Sequence, residues 1–523
     1  MPHFAQKAFL SIFFWSMFPG LFFITSFSTS TIAASPSSKP NIIIFLVDDL
    51  GYGDLGCYGN PIVKTPNIDR FATEGVRLTD CHSAATVCSP SRAALLTGRN
   101  PYRSGFYDIL GSFNCYLQRR EITLPELLKP IGYSTCFVGK WHLSQINTSG
   151  KTNSQNSQPS PGEQGFDHWL ATSLNAFEGP RNVKKLVRNG VPLGAVSGSY
   201  CDIIVKEACD WIGLQKKDQP FFLEICPHEP HTPIDPPEEY SQPYRNAKVD
   251  SLEKTIQYGG VPRPSGIAKH KDKYYGTVAQ LDHAFGQLMK FLDANGLTNN
   301  TLVIFTSDNG PESPVNFDES RGLWKDTIRD QCFGTPGLFR GMKRFTYEGG
   351  HRVPGIVRWP SKIPAGLVSD KLVNGTDFFS TICTIAGIKQ PDDRAIDGKN
   401  IWPALLNRPH DKNRSVIWPL QLNEDMYSKM ADMSMRYQEY TLIGRMPLKA
   451  DSVPLLNWMY HSLPEKFELY NIAKDPGQQF DIADQHPRLL KKLIPMMTNM
   501  WLNIRDEGKM NAAAFNAKKI GTF

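Results

Sequence analysis

A near-continuous apolar run, Asn41-Ile42-Ile43-Ile44-Phe45-Leu46-Val47, stops abruptly at two acids, Asp48-Asp49. The run is too short for an ordinary helix. Its lack of polar alternation marks a strand buried on both faces, as in the middle of a parallel sheet. The texture recurs. Ser134 to Val138 runs into Gly139-Lys140-Trp141-His142, Pro220 to Cys226 into Pro227-His228-Glu229-Pro230-His231-Thr232-Pro233, and Thr301 to Ser307 into Asp308-Asn309-Gly310. Helical patterns lie between. In the first, Thr65 caps, Pro66 starts, Ile68, Phe71 and Ala72 face inward, and Gly75 stops. Another covers Ile203 to Gln215, and the longest puts Tyr274, Val278, Leu281, Phe285, Leu288 and Leu292 on one face. Such alternation predicts an α/β fold: a large, mostly parallel or mixed sheet with helices on both faces. Open sheets of this kind hold their sites at the carboxyl ends of the strands, where these polar groups fall.

A chain of 523 residues exceeds one ordinary core. Beyond about Lys371 the regular crossovers cease. Strand-like segments at Ser415 to Trp418, Met435 to Gly444 and Phe467 to Asn471 precede a helical stretch from His486 to Arg505. This predicts a larger domain over 39–370 and a smaller one over 371–523, the latter with an antiparallel sheet and a terminal helix. Ahead of both, Ala8 to Phe27 is almost wholly apolar, follows Lys7, contains Pro19-Gly20 and leads to Ala33-Ala34. That is the layout of a secretory signal peptide over 1–34. It predicts an exported protein, periplasmic, secreted or in a lysosome-like compartment, with no stable membrane insertion once the segment is removed. Ser144 to Gln164, rich in Ser, Asn, Gln and Pro, predicts a surface loop.

The formal net charge of +6 is spread along the chain. It suits an anionic substrate and excludes the concentrated basic stripe of a nucleic-acid binder. Ten cysteines are scattered without a C-x-x-C pair, and Cys136, Cys226 and Cys383 lie inside apolar runs, as small core residues do.

One cysteine stands apart. Cys88-Ser89-Pro90-Ser91-Arg92 leads into Ala93-Ala94-Leu95-Leu96-Thr97-Gly98-Arg99. Ser89 is a good helix N-cap, Pro90 suits the first helical position, and Gly98 is placed to end the helix. Cys88 then sits just before a helix N-terminus, where free N–H groups and the macrodipole favour an anion. Arg92, about one turn on, adds a fixed positive charge. These residues alone allow two readings: an anion pocket with a sulfur at its mouth, or a buried structural cysteine beside an ordinary helix.

The same twelve residues resemble the C-x-P-S-R signature of the formylglycine-dependent sulfatases. Further motifs follow in that family's order, from Lys39 to Glu468-Leu469-Tyr470-Asn471 and Asp475-Pro476-Gly477. The resemblance implies an alkaline-phosphatase-like fold and a sulfuric ester hydrolase. It implies that a formylglycine-generating maturation enzyme oxidises Cys88 to an aldehyde, which hydrates to a geminal diol. Asp48, Asp49, Asp308 and Asn309 match the family's calcium ligands, with the converted Cys88 and the substrate sulfate completing the shell. The all-oxygen set itself suits a hard cation, Ca²⁺ or Mg²⁺, rather than zinc. Arg92, Lys140, His142 and Lys343 match the family's cationic cage, Lys343 lying in Arg340-Gly341-Met342-Lys343 ahead of Glu348-Gly349-Gly350. His231 matches its Pro-His-x-Pro region, with His228 as the other candidate.

In the implied reaction one hydroxyl of the diol attacks sulfur and His231 protonates the departing alcohol. Deprotonation of the second hydroxyl by His142 then expels sulfate. Gly59-Asn60-Pro61, Thr65-Pro66-Asn67 and the run from Asn100 to Tyr107 most resemble arylsulfatases and N-acetylgalactosamine-6-sulfatases. This implies a sulfated carbohydrate or aryl sulfate as substrate. Ser144, Met342 and His351 depart from the family pattern, and the last two are expected to shape the pocket rim. Two other functions stay open at this point. One is a phosphatase or phosphodiesterase on the same fold, although its extra histidine and aspartate ligands for two transition metals are not found. The other is a non-catalytic sulfated-glycan-binding protein with Cys88 unconverted.

Overall fold

A computed structural model describes residues 39–516 except 113–114, 147–157, 177, 217, 248–270, 313–333, 410, 421–431 and 451, with side chains to residue 509. The expected signal peptide and most of the expected polar loop lie outside the described residues. The apolar run is a buried strand, Asn41–Val47, whose side chains divide by parity. Ile42, Ile44 and Leu46 join one hydrophobic cluster with Leu95 and Leu96 of helix Cys88–Thr97 and with Phe378 and Ile382 of helix Thr376–Ala386. Ile43, Phe45 and Val47 join a second with Phe71, Ile204 and Leu281, from helices Pro66–Thr73, Tyr200–Gly213 and Lys271–Ala294. Both faces of the strand are covered, which is why its sequence does not alternate.

This strand lies inside a ten-stranded mixed sheet. The order is Leu367–Ser369, Val76–Leu78, Gly355–Arg358, Thr301–Ser307, Asn41–Val47, Phe221–Cys226, Ser134–Lys140, His168–Thr172, Val187–Arg188 and Val191–Pro192. The five from Thr301–Ser307 to His168–Thr172 run parallel, so the polar ends of the predicted strands meet along one edge. Gly355–Arg358 is antiparallel to both its neighbours.

Further along the chain, Ser415–Trp418, Asp432–Tyr437, Tyr440–Arg445 and Lys466–Asn471 form a four-stranded antiparallel sheet. The expected single strand from Met435 to Gly444 is instead a hairpin, turned at Gln438 with φ 53°. The terminal helix, Pro487–Asn516, outruns its expected end. Its Trp501 is fully buried in the first cluster, and its Glu507 pairs with Arg99 and Arg103 just beyond the Cys88 helix.

Two expected helix signals work differently. Helix Pro66–Thr73 stops before Gly75, which is a glycine because an added Cβ would lie 2.3 Å from the Val357 carbonyl oxygen. The Thr65 hydroxyl is not a cap, since it accepts from the Gly56 amide and bonds Asp69. The nine cysteines among the described residues are all unbridged, and Cys136, Cys226 and Cys383 are buried as expected. Among the described residues no helix is long and apolar enough to cross a membrane.

Candidate active site

Asp48 and Asp49 leave the central strand level with Asp308 and Asn309, because Val47 pairs with Ser307 in the parallel register. Backbone bonds lock the two exits together: the Asp308 amide donates to the Val47 carbonyl, and the Asp49 amide to Asp308 Oδ1. Asp49 adopts φ 61°, in the left-handed region that non-glycine residues seldom enter and that aspartate enters more readily than most. Asn309 Nδ2 donates to Asp49 Oδ1 at 2.7 Å and to the Gly310 carbonyl at 2.8 Å. Its Oδ1 is buried without a hydrogen-bond partner.

Cys88 comes from the opposite side, with Sγ 3.5 Å from Asp48 Oδ1 and 3.9 Å from Asp49 Oδ1. Its helix begins one residue earlier than the sequence suggests. Val87, not Ser89, is the N-cap, since the Ser89 hydroxyl instead accepts from the Leu110 amide. Cys88 is thus the first helical residue, and all ten residues of the helix are buried. Burial pushes the thiol pKa up, so it stays protonated.

The cations close over these acids. Arg92 contacts Asp308 Oδ2 through Nη2 at 2.6 Å and Nε at 2.9 Å, and donates through Nη1 to the Lys140 carbonyl. Lys140 Nζ lies 2.7 Å from Asp48 Oδ2 and Lys343 Nζ 2.8 Å from Asp49 Oδ2. Burial opposes ionisation of Asp48, yet Lys140, His231 and Arg92 hold its carboxyl well below the usual range. Lys140 reaches this place through Gly139, whose φ is 117° and whose added Cβ would lie 2.0 Å from the Cys226 carbonyl oxygen. Only glycine fits there.

The two candidate histidines of the Pro227–Pro233 loop separate by their partners. His228 sets Nδ1 against the Ala176 amide and Nε2 against the Pro233 carbonyl, both on backbone, and burial lowers it to about 3. His231 engages the Thr232 carbonyl through Nδ1 and turns Nε2 toward Asp49 Oδ2, 3.5 Å away. His231 therefore joins the acids and His228 does not. His142, at φ 54°, is buried with Nδ1 unpartnered, and burial with the charges of Lys140 and Arg92 keeps its ring neutral.

Two residues that the sequence reading missed also reach the site. Asn175 donates to Asp48 Oδ2 at 3.2 Å, from the stretch that follows strand His168–Thr172. Glu312 lies 3.2 Å from Lys343 Nζ and pairs with Arg344. Its signal was position, an acid two residues beyond Gly310. The expectation that Met342 and His351 shape the rim is not met, since both are fully buried. Ser144 is buried too and accepts from the Trp141 indole.

A cation fits what is present. Three buried carboxylates and the unpartnered Asn309 Oδ1 converge beside Cys88, and oxygen donors of this kind suit a hard ion. The buried Asp48, Asp49 and Cys88 cluster is consistent with the metal site of a sulfatase.

Known proteins resemble this chain along most of its length. Residues 40–388 match the sulfatase family, and residues 334–505 match the family described as N-sulphoglucosamine sulphohydrolase, C-terminal. The chain is 33% identical to N-acetylgalactosamine-6-sulfatase of Rattus norvegicus over 546 residues, spanning 94% of this chain and 92% of that one. It is 28% identical to N-acetylgalactosamine-6-O-sulfatase of Bacteroides thetaiotaomicron over 530 residues, spanning 89% and 93%. The solved structure of Ps i-CgsB in complex with k-i-k-neocarrahexaose superposes with a TM-score of 0.69 at 25% identity, over 92% of this chain and 98% of that one. The large mixed sheet is the expected alkaline-phosphatase-like arrangement. The cysteine motif, the paired strand-end acids and the lysines that neutralise them all fall inside the first matched span, and the chain belongs to the sulfatase family.

Proposed function

We propose that this enzyme is an exported, calcium-dependent sulfatase acting on sulfate monoesters of a carbohydrate, with Cys88 converted to formylglycine as its nucleophile. One observation carries the reading: Cys88 Sγ sits within reach of Asp48 and Asp49, while Lys140 and Lys343 stand on those same two carboxylates. Asp48, Asp49, Asp308 and Asn309 Oδ1 would hold the ion, and Ca²⁺ is favoured by the oxygen-only protein donors. When bound, the cation offsets the charge of the sulfate and lowers the pKa of the attacking hydroxyl.

The remaining work falls to the chain. Lys140 and Lys343 flank the place where the ester oxygens gather charge, and Arg92 fixes the first of them by its backbone. His231, anchored through Nδ1, presents Nε2 to protonate the departing alcohol. The neutral His142 takes the proton from the residual hydroxyl. A buried, protonated thiol is a poor nucleophile, which supports oxidation of Cys88 by a maturation enzyme to an oxygen nucleophile. The carbohydrate assignment is supported by the N-acetylgalactosamine sulfatases among the relatives and by the oligosaccharide complex among the structures. The signal-peptide pattern over 1–34 supports export, and the change of texture near 371 supports a division into 39–370 and 371–523.

Two measurements on native protein test the reading: the mass of the peptide carrying residue 88, and sulfate release from a panel of sulfated oligosaccharides. An aldehyde at 88 with sulfate release is expected. An intact thiol with binding alone would favour the glycan-binding alternative, and faster hydrolysis of phosphate esters would favour the phosphatase.

A further inference from the structure

Beside the site lies a buried pair of histidines that the reaction does not use. His82 and His351 are 1% and 0% exposed, and their Nδ1 atoms are 2.9 Å apart. His82 Nε2 faces Asp80 Oδ1 at 2.8 Å, and His351 Nε2 faces the Thr346 carbonyl at 3.2 Å. A carboxylate and a carbonyl only accept, so both Nε2 atoms carry hydrogen. The Nδ1 contact needs one hydrogen more. Two neutral imidazoles supply two ring protons and these three bonds require three, so one extra proton, and its positive charge, is shared by the two rings.

The surroundings suit that charge. Asp80 contacts His82 directly and also pairs with Arg436 and Arg352, while Glu348 pairs with the same two guanidiniums, so the shared proton lies against a carboxylate inside a network of alternating charges. Both acids are already spanned by arginines, which leaves the cluster of Asp80, His82 and Glu348 holding a proton rather than a metal ion. Burial would raise Glu348, yet His82, Arg436 and Arg352 hold its carboxyl down at about 2. The Trp418 indole stacks on His351 at 3.9 Å and 10°, and donates to the Ser83 carbonyl.

The pair stands where two catalytic loops meet. Ser83 to Val87 leads from His82 into Cys88, and its Ser83 amide donates to the His351 carbonyl at 2.7 Å. Lys343 to Tyr347 carries the second lysine, ends beside the helix holding His351, and sends the Arg344 amide to the Thr86 carbonyl at 2.9 Å. We infer that His82 and His351 are positioning residues: sharing one proton, they hold the Cys88 loop and the Lys343 loop at a fixed spacing. When that proton leaves, one of the three bonds becomes a lone pair facing a lone pair, and the spacing relaxes. The kinetic consequence rests on the sulfatase reading above; the shared proton and the clamp do not.

Ring-nitrogen NMR on ¹⁵N-histidine-labelled protein counts the protons directly. Three protonated nitrogens across His82 and His351 at pH 7 are expected, and two would overturn the inference. The variant His351→Phe keeps the stack on Trp418 and removes the ring nitrogens. Hydrogen exchange of peptides covering 83–88 and 343–347 should quicken at least tenfold in the variant while distant peptides stay unchanged; unchanged exchange in those two peptides overturns the clamp. In kinetics the variant should lose roughly tenfold in kcat with KM altered less than twofold, and the alkaline limb of its pH profile should move by at least one pH unit. A profile superposable on wild type overturns the positioning role. Failure of the wild-type protein to release sulfate would count against the function, while the NMR and exchange results still decide the clamp. If His351→Phe does not fold, His82→Asn, which can donate to Asp80 and does not titrate, takes its place in both measurements.

Discussion

His228 and His231 share a loop and a residue type, and their nitrogen partners alone tell them apart. Partners of that kind are not written in a sequence. Asp48, Asp49, Asp308 and Asn309 were legible because each pair ends an apolar run, and Cys88 because its motif is long. Asn175 and Glu312 were not, since each depends on where a loop crosses the site. Met342 and His351 looked like rim residues only because their burial is a tertiary fact. Lys140 and Lys343 each pair with a strand-end carboxylate, and on the proposed reading both would also face the incoming sulfate. Lys140→Ala and Lys343→Ala should each cut kcat by about two orders of magnitude or more; steady-state rates on folded variants check this, and near-normal turnover would remove them from the mechanism. Cys88→Ser should give at most one product per enzyme. A serine hydroxyl can attack sulfur but has no second hydroxyl with which to expel sulfate. Intact-mass analysis should find the sulfated serine, provided residue 88 is first verified as serine, and many turnovers at the wild-type rate would defeat the diol mechanism.

At the scale of elements, the parallel strands were visible in the sequence and the turns that aim them were not. Gln438 splits one expected strand into a hairpin, and Val87 displaces Ser89 as helix cap because the serine hydroxyl is bound elsewhere. The strand Ser134–Lys140 depends on Gly139 to bring Lys140 past Cys226. Gly139→Ala combines a backbone overlap with a positive φ, and should cost about 2 kcal/mol or more in urea unfolding; a change below about 0.5 kcal/mol would show that the two strands can part. On the neighbouring strand Glu224 is fully enclosed, and burial, partly opposed by Arg92, raises its carboxyl to about 7. The unfolded chain ionises this group near its usual 4.5. Its contribution to stability is therefore complete below that value, declines as the pH rises, and is lost once the folded group ionises near 7. Glu224→Gln should gain stability relative to wild type between pH 5 and 8, on the order of a few kcal/mol. A gap that stays constant between paired unfolding curves at the two pH values would contradict this.

For the whole molecule, the site's charge balance sets the response to metal. Chelator-treated enzyme should lose activity and regain it with Ca²⁺ better than with Zn²⁺, because the protein donors are oxygens; full turnover after verified metal removal would contradict this. The C-terminal helix bears on the site from a distance. Glu507 grips Arg99 and Arg103, and Trp501 packs edge-on to Tyr102, so a segment about 400 residues further along the chain covers the stretch that follows Cys88. In the folded protein the whole cysteine helix is buried, out of reach of any modifying protein. On the proposed reading the maturation enzyme has to meet an open chain, and its work is a race against folding. A cell that produces the chain faster than it oxidises it would accumulate well-folded molecules that are permanently inert, so that specific activity would record a molecule's history as well as its sequence.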